Sequence, residues 1–349
     1  MSSSFTNKLI TNLSDWIFAL FGASLLIWFA VTQPVYSTNK VVNPLNVDLK
    51  KLQMHVKLLI DGYGPRTIEY GNLNNTAAYI YNEFERLGNV EYQNVTTLVG
   101  QYKNVVLRLG RNTNEVYIIG AHYDAENDFL DTEGNASGVA TLIELARQLS
   151  LSSDKLSIQV ILVAYPLSNS QVNRNENTGS YYHAAELKAS GKKVRLMVSL
   201  DSVGHFNESL GSQKHPYKFM QLFYPDKGNF INLNGRLQDF REIRHLKKSF
   251  SEASALPIYS QNLPESFSNA QSIDHRNYWR QGFPAVLISD THKYRNTGSN
   301  LKIKERLDYE KMAMLVQGLY QVVMETVSKT HNTQVAQQKL HKHGGLGLH

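Results

Sequence analysis

The stretch VYIIGAHYDAENDFLDTEGNASGVATLIELARQL, residues 116–149, decides the fold. Val116 to Ala121 is a short branched apolar run and reads as a strand. Ser137 to Leu149 places Val139, Leu142, Ile143 and Ala146 on one face and reads as a helix. Between them lies a loop that opens with His122 and Asp124. A strand that passes through a polar loop into a helix is the repeating unit of a sheet covered by helices.

The same alternation continues in both directions. Thr76 to Leu87 reads as a helix and Asn104 to Leu109 as a strand. Leu156 to Tyr165 and Val194 to Leu200 read as buried strands, with a helix from Gly179 to Ala189 between them. Pro284 to Ser289 is another short strand. Asp308 to Ser328 is a long helix whose Met312, Leu315, Val316, Leu319, Val322 and Val323 keep helical spacing. The expectation is an α/β fold: one mixed, mostly parallel central sheet with helices on both faces, in a single domain over 49–329 without internal repeats.

The 349 residues are 42% hydrophobic and 19% charged, which suits a globular chain and excludes disorder over the whole length. The formal charge is +6, but the Lys and Arg residues are scattered and no basic arm forms, so no nucleic-acid partner is expected. The chain has no cysteine, which removes disulfides, thiolate metal sites and a thiol nucleophile.

Trp16 to Val31 is an unbroken stretch of apolar and small residues, and the segment 16–33 reads as a membrane-directed helix behind a short N-terminal segment, 1–15. No small-x-small cleavage site follows it, and Trp stands near each end. The reading is an uncleaved anchor with an exported domain; the alternative is a cleaved signal peptide and a secreted protein. Thr32 to Asp48 reads as a tether, the linker proper being 34–48. The segment 330–349, with His331, His341, His343 and His349, reads as a disordered tail, with a metal-binding tail as the alternative.

In open α/β sheets functional side chains gather just beyond the strands' carboxyl ends. Those places are His122-Tyr123-Asp124, Tyr165 to Asn169, Ser199 to Asp201, and Asp290 to Asn300. Ser168 has no His or Asp partner there, and no serine, cysteine or phosphate-loop constellation competes.

Six strings carry a specific resemblance: 120–147 within the stretch above, TGSYYHAAELK (178–188), VSLDSVGHF (198–206), YPDKGNF (224–230), DHRNYWRQGFPAVLISDT (274–291) and LDYEKM (307–312). In that order they resemble peptidase family twenty-eight, the di-zinc aminopeptidases that share their fold with glutaminyl cyclases, and in particular its bacterial membrane-associated branch. The resemblance spans about Gly64 to Ser328. It implies two zinc ions bridged by an Asp, each with one His and one further carboxylate, and a Glu as general base. Zinc of this kind keeps about three protein ligands and an open position for water.

Carried over position by position, the resemblance leaves His122 and Asp201 as ligands and Asp124 as the carboxylate that orients His122. Gly134 stands at the bridging Asp, Ser168 at the general base, Asn169 at the neighbouring ligand and Asn300 at the last His. A dinuclear centre needs more anions than these. The expectation is therefore a non-hydrolytic pseudo-peptidase without cofactor, holding a peptide or partner protein in the ancestral cleft and the membrane through its N-terminal helix. The alternative is an active metallo-aminopeptidase with one weakly bound zinc, with Asp131, Glu133, Glu176, His205 or His292 as substitute ligands. His122 and Asp201 can also persist as a plain polar pair. Asp274 and His275 are expected to serve packing or the pocket, and Tyr278 and Trp279 the core or the pocket wall. If the surroundings are intact, Gly134→Asp, Ser168→Glu, Asn169→Glu and Asn300→His together should restore zinc binding.

Overall fold

The computed structural model describes residues 2–36, 44–68, 71–97, 100–125, 134–166, 178–215, 218–263, 265, 274–291, 295 and 306–344. Its strands are β1 Asn89–Thr97, β2 Gly100–Leu109, β3 Glu115–His122, β4 Gln159–Tyr165, β5 Lys193–Leu200, β6 Ile231–Gly235, β7 Ile258–Asn262 and β8 Ala285–Ser289. The helices are α1 Ser2–Thr32, α2 Leu49–Lys57, α3 Leu73–Glu85, α4 Ala136–Ser150, α5 Gly179–Ala189, α6 Phe240–Ala253, α7 Asp274–Arg280 and α8 Tyr309–Gly344.

All eight strands form one sheet in the order β1-β2-β4-β3-β5-β8-β6-β7. β4, β3, β5 and β8 run parallel, β1 and β2 join antiparallel at one edge, and β6 with β7 lies antiparallel to β8 at the other. Strand periodicity divides each inner strand between two cores. Tyr117, Ile119 and Ala121 of β3 face the core built with α2, α3, α4, α6 and α8, whereas Val116 and Ile118 face the smaller one under α5 and α7. α4 is buried almost all round, against the sheet on one side and α2 and α8 on the other. Each buried Leu or Ile there contributes about 1.5–3 kcal/mol.

α5 coincides with its expected span, while β1, β6, β7 and α6 have no counterpart in the sequence reading. β1 is a mostly exposed edge strand, and β6 and β7 are five residues each, so long-range pairing rather than local pattern defines them.

α1 begins at Ser2, so the segment 1–15 is not separate from the apolar helix. Residues 15–32 are long and apolar enough to cross a membrane and lie outside the protein core. At about 1.5 Å per residue they span about 27 Å. The tether expected from Thr32 onward is instead packed at both ends. Thr32 and Gln33 are buried beside α6 and β7, and Asn46 accepts hydrogen bonds from Arg147 and Gln148 of α4, both at 2.9 Å. α8 runs on to Gly344. Residues 333–342 contain no Gly or Pro and are rich in helix formers, and the helix ends at the Gly344-Gly345 pair.

Candidate functional site

The chain leaves β3 for β4 on one side through α4, then crosses back through α5 to β5 on the other side. This reversal opens a crevice at the carboxyl ends of β3 and β5, where an α/β sheet places its site. His122 ends β3 and Asp201 follows β5, so the fold brings together two residues 79 positions apart.

The His122 ring lies between two carboxylates. Nδ1 is 3.2 Å from Asp124 Oδ1 and from the Asp124 carbonyl, and Nε2 is 3.5 Å from Asp201 Oδ1. His122 and Asp124 are buried, whereas the Asp201 side chain reaches solvent. Burial disfavours the charged imidazole, but hydrogen bonds to Asp124 and Asp201 and their negative charges outweigh it and raise the pKa well above 6.5. The two carboxylates thus favour the protonated ring at the place where the family resemblance implies a metal ligand.

Asn135 holds the two strand ends in place. It adopts the left-handed conformation (φ 59°), which Asn tolerates better than most residues. Its Nδ2 donates to the carbonyls of His122 at 3.0 Å and Leu200 at 2.9 Å, and its Oδ1 accepts from the Ser202 N–H at 2.9 Å. One side chain therefore ties β3 to the turn after β5 and sets the distance between His122 and Asp201.

Arg66, which the sequence reading did not single out, lies beside this brace and is fully buried. Its Nε donates to the Tyr123 carbonyl at 2.7 Å, Nη1 to the Leu59 carbonyl, and Nη2 to the Gly134 carbonyl at 2.7 Å. Gly134 itself has φ +48°, and a β-carbon there would come within 2.5 Å of Ala125 Cβ and 2.7 Å of Arg66 Nη2. The space beside Gly134 is filled by a methyl group and a permanent cation. No sequence signal marks Arg66, because its partners are carbonyls of distant segments.

Behind the crevice, α5 and α7 contribute a buried polar layer. Asp274 and His275 are completely enclosed, with no well-formed hydrogen bond to the carboxyl oxygens or ring nitrogens among the described residues. Burial, partly offset by His122 and Ser180, pushes the Asp274 carboxyl up to about 6. Burial, then Arg276, pushes His275 down to about 3, and its ring meets Trp279 edge-on at 4.5 Å. Trp279 donates to the Ala285 carbonyl at 2.9 Å. The Tyr278 hydroxyl is 2.6 Å from that of Tyr165 and 2.5 Å from His183 Nδ1. Tyr278 and Trp279 are core residues under α5 and α7.

His205 sits at the same edge with Nδ1 3.4 Å from Asp290 Oδ2, and its N–H donates to that oxygen at 2.6 Å. This pairing directs it to Asp290 at the end of β8. Ser168, Asn169 and Asn300, with Asp131, Glu133, Glu176 and His292, lie outside the described residues.

Among the described residues, no three His, Asp or Glu side chains converge as a metal set. Among these residues nothing supplies a bridging carboxylate for a dinuclear zinc centre: Gly134 stands where the resemblance implies one, and a β-carbon there would meet Ala125 and the guanidinium of Arg66. Two cations beside that guanidinium would lack the anions that offset their repulsion.

The chain is similar to several known proteins. It is 38% identical over 288 residues to YfbL of Escherichia coli (strain K12), covering 79% of this chain and 88% of that one. In three dimensions it resembles LapB of Legionella pneumophila (TM-score 0.62, 18% identity, 80% of this chain and 72% of that one). It also resembles BSAP, a zinc aminopeptidase from Bacillus subtilis (TM-score 0.60, 11% identity, 81% and 96%). A glutaminyl cyclase of Bacteroides thetaiotaomicron shares the fold (TM-score 0.55, 14% identity, 81% and 99%). The profile of Peptidase family M28 matches residues 104–306, from β2 past the last strand, and so takes in both His122 and Asp201. The sheet order, the crevice between β3 and β5 and this match have one reading: the chain belongs to peptidase family M28.

Proposed function

We propose that this protein is a membrane-anchored pseudo-peptidase, one that keeps the M28 fold and its cleft but binds a peptide or partner protein without hydrolysing it. The observation that carries the reading is the contact between Arg66 and Gly134: a cation donates at 2.7 Å to the carbonyl of the residue where the resemblance implies the bridging carboxylate. Anchoring by an uncleaved α1 is supported by the burial of Thr32 and Gln33 within the domain, because cleavage beyond Gln33 would strip partners from buried Lys247.

One observation favours a second reading, a single-zinc aminopeptidase. The 3.5 Å between His122 Nε2 and Asp201 Oδ1 suits two ligands sharing one ion at about 2.0–2.1 Å each. The deciding experiment is elemental analysis of the full chain, purified in detergent without chelator, with a chromogenic aminoacyl substrate tested on the same sample. The pseudo-peptidase reading expects substoichiometric metal and no turnover, with or without added zinc. Zinc near one equivalent with turnover that disappears in His122→Ala would overturn it.

A further inference from the structure

We propose that the domain has a second membrane contact: Phe219, Leu222 and Phe223, with Leu237 ahead of α6 and Phe240 at its start, seat in the interface of the bilayer that α1 crosses. The inference rests on reading α1 as an anchor. It goes beyond that reading by assigning the domain a membrane-facing side and a fixed orientation.

The end of α1 is clamped rather than loosely joined. The last carbonyls of a helix have no intrahelical donor, and here the domain supplies one to each of several. Asn262 Nδ2 donates to Val31 O at 3.1 Å, Ser260 Oγ to Thr32 O at 2.5 Å, and Lys247 Nζ to Thr32 O at 2.8 Å and Gln33 O at 3.2 Å. Arg244 donates to Pro34 O at 3.0 Å, and its guanidinium lies 5.5 Å from the centre of the Phe29 ring. A helix held this way points in one direction from the domain, and a bilayer around it meets one face.

That face carries the exposed apolar side chains. Phe240 stands one turn before Arg244 on α6, next to the contact with Phe29, and it is 46% exposed. On the other side of β7, Met220 Sδ accepts from Gln261, the neighbour of Asn262, and Tyr224 donates to the Ser260 carbonyl at 2.9 Å. The short helix and turn that Met220 and Tyr224 hold there expose Phe219 to 60% and Leu222 to 80%. Two apolar groups thus flank the point where α1 leaves the domain. Lys218, Arg241 and Lys248 are exposed around them, with half-buried Glu242 and exposed Glu265, near Asp239, as acidic neighbours.

The topology separates this face from the crevice. β6 and β7 run antiparallel to β8, so their carboxyl ends, where α1 docks, lie opposite the edge bearing His122 and Asp201. The crevice faces away from the membrane.

The absence of cysteine makes the test direct. Leu222→Cys, Phe240→Cys and, as a control at the crevice edge, Leu210→Cys (native residue 77% exposed) are made in the full chain, labelled with bimane and placed in nanodiscs of phosphatidylcholine and phosphatidylglycerol. Emission at 222 and 240 should shift to the blue and be quenched by brominated lipid, while emission at 210 stays water-like. Water-like emission at all three sites in chains that co-purify with nanodiscs would overturn the second contact and leave the anchor intact. Chains that fail to enter nanodiscs would overturn the anchor reading itself. A blue shift at 222 and 240 that is insensitive to brominated lipid but grows with protein concentration would assign the face to a second copy, against the proposal.

Discussion

Arg66 Nη2 lies 2.7 Å from the Gly134 carbonyl, and a β-carbon on Gly134 would lie at that same 2.7 Å from the nitrogen. The guanidinium and a bridging carboxylate thus compete for one space. Restoring the acid alone is therefore not expected to restore the site.

Gly134→Asp should therefore lower stability by about 1–3 kcal/mol, the usual cost of overpacking, and bind no zinc. Urea unfolding and elemental analysis of the purified variant check both. A Gly134→Asp protein as stable as the parent, with bound zinc, would mean that Arg66 and Ala125 yield easily.

Asn135→Ala should be more damaging than its size implies. It leaves the carbonyls of His122 and Leu200 and the N–H of Ser202 without their partner, at about 1–3 kcal/mol for a buried unsatisfied group. It also places Ala in the left-handed region, at about 1–2 kcal/mol. A drop in the urea midpoint with an unchanged m-value is the expected result, and a shift of a few tenths of a kcal/mol would show that water replaces the brace.

Stability should fall in acid through His183 and His275. Burial lowers both to about 3, so between about 6.5 and 3 the unfolded chain binds protons on them and the folded chain does not. Each then removes about 1.4 kcal/mol per pH unit as pH falls through that window. Asp274 acts in the opposite sense between its ordinary 3.8 and about 6, since its folded pKa is raised. His183→Gln should flatten the decline of unfolding free energy between pH 6.5 and 5, measured by chemical denaturation; an unchanged slope would mean that His183 titrates normally.

A chain truncated before residue 40 should be less stable than the intact one. Lys247 is buried, and the Thr32 and Gln33 carbonyls are two of its three acceptors, the third being Ser260 Oγ at 3.2 Å. Losing them costs about 1–3 kcal/mol, and Lys247→Met should recover much of it in the truncated chain while costing stability in the full one. Thermal melts of the four proteins in one detergent test this.

The parallel strands and α4, α5 and α8 were legible because each keeps a local period of apolar residues. The strand ends then pointed to His122 and Asp201, and the structure sets those side chains 3.5 Å apart. Arg66 was not legible, since a guanidinium bonded to carbonyls of Leu59, Tyr123 and Gly134 leaves no pattern near residue 66. β6, β7 and the docked end of α1 were missed for a related reason: their polar side chains point at partners more than 200 positions away in the case of Ser260 and Asn262.

The sequence by itself determined the layered α/β architecture and the family, because periodicity and motif order are local properties of the chain. Only the tertiary structure decided that Arg66 packs against Gly134 and that the domain holds the end of α1. Both depend on side chains meeting backbone groups across the fold, and hydrogen bonds to carbonyls carry no residue-type signature at the accepting end.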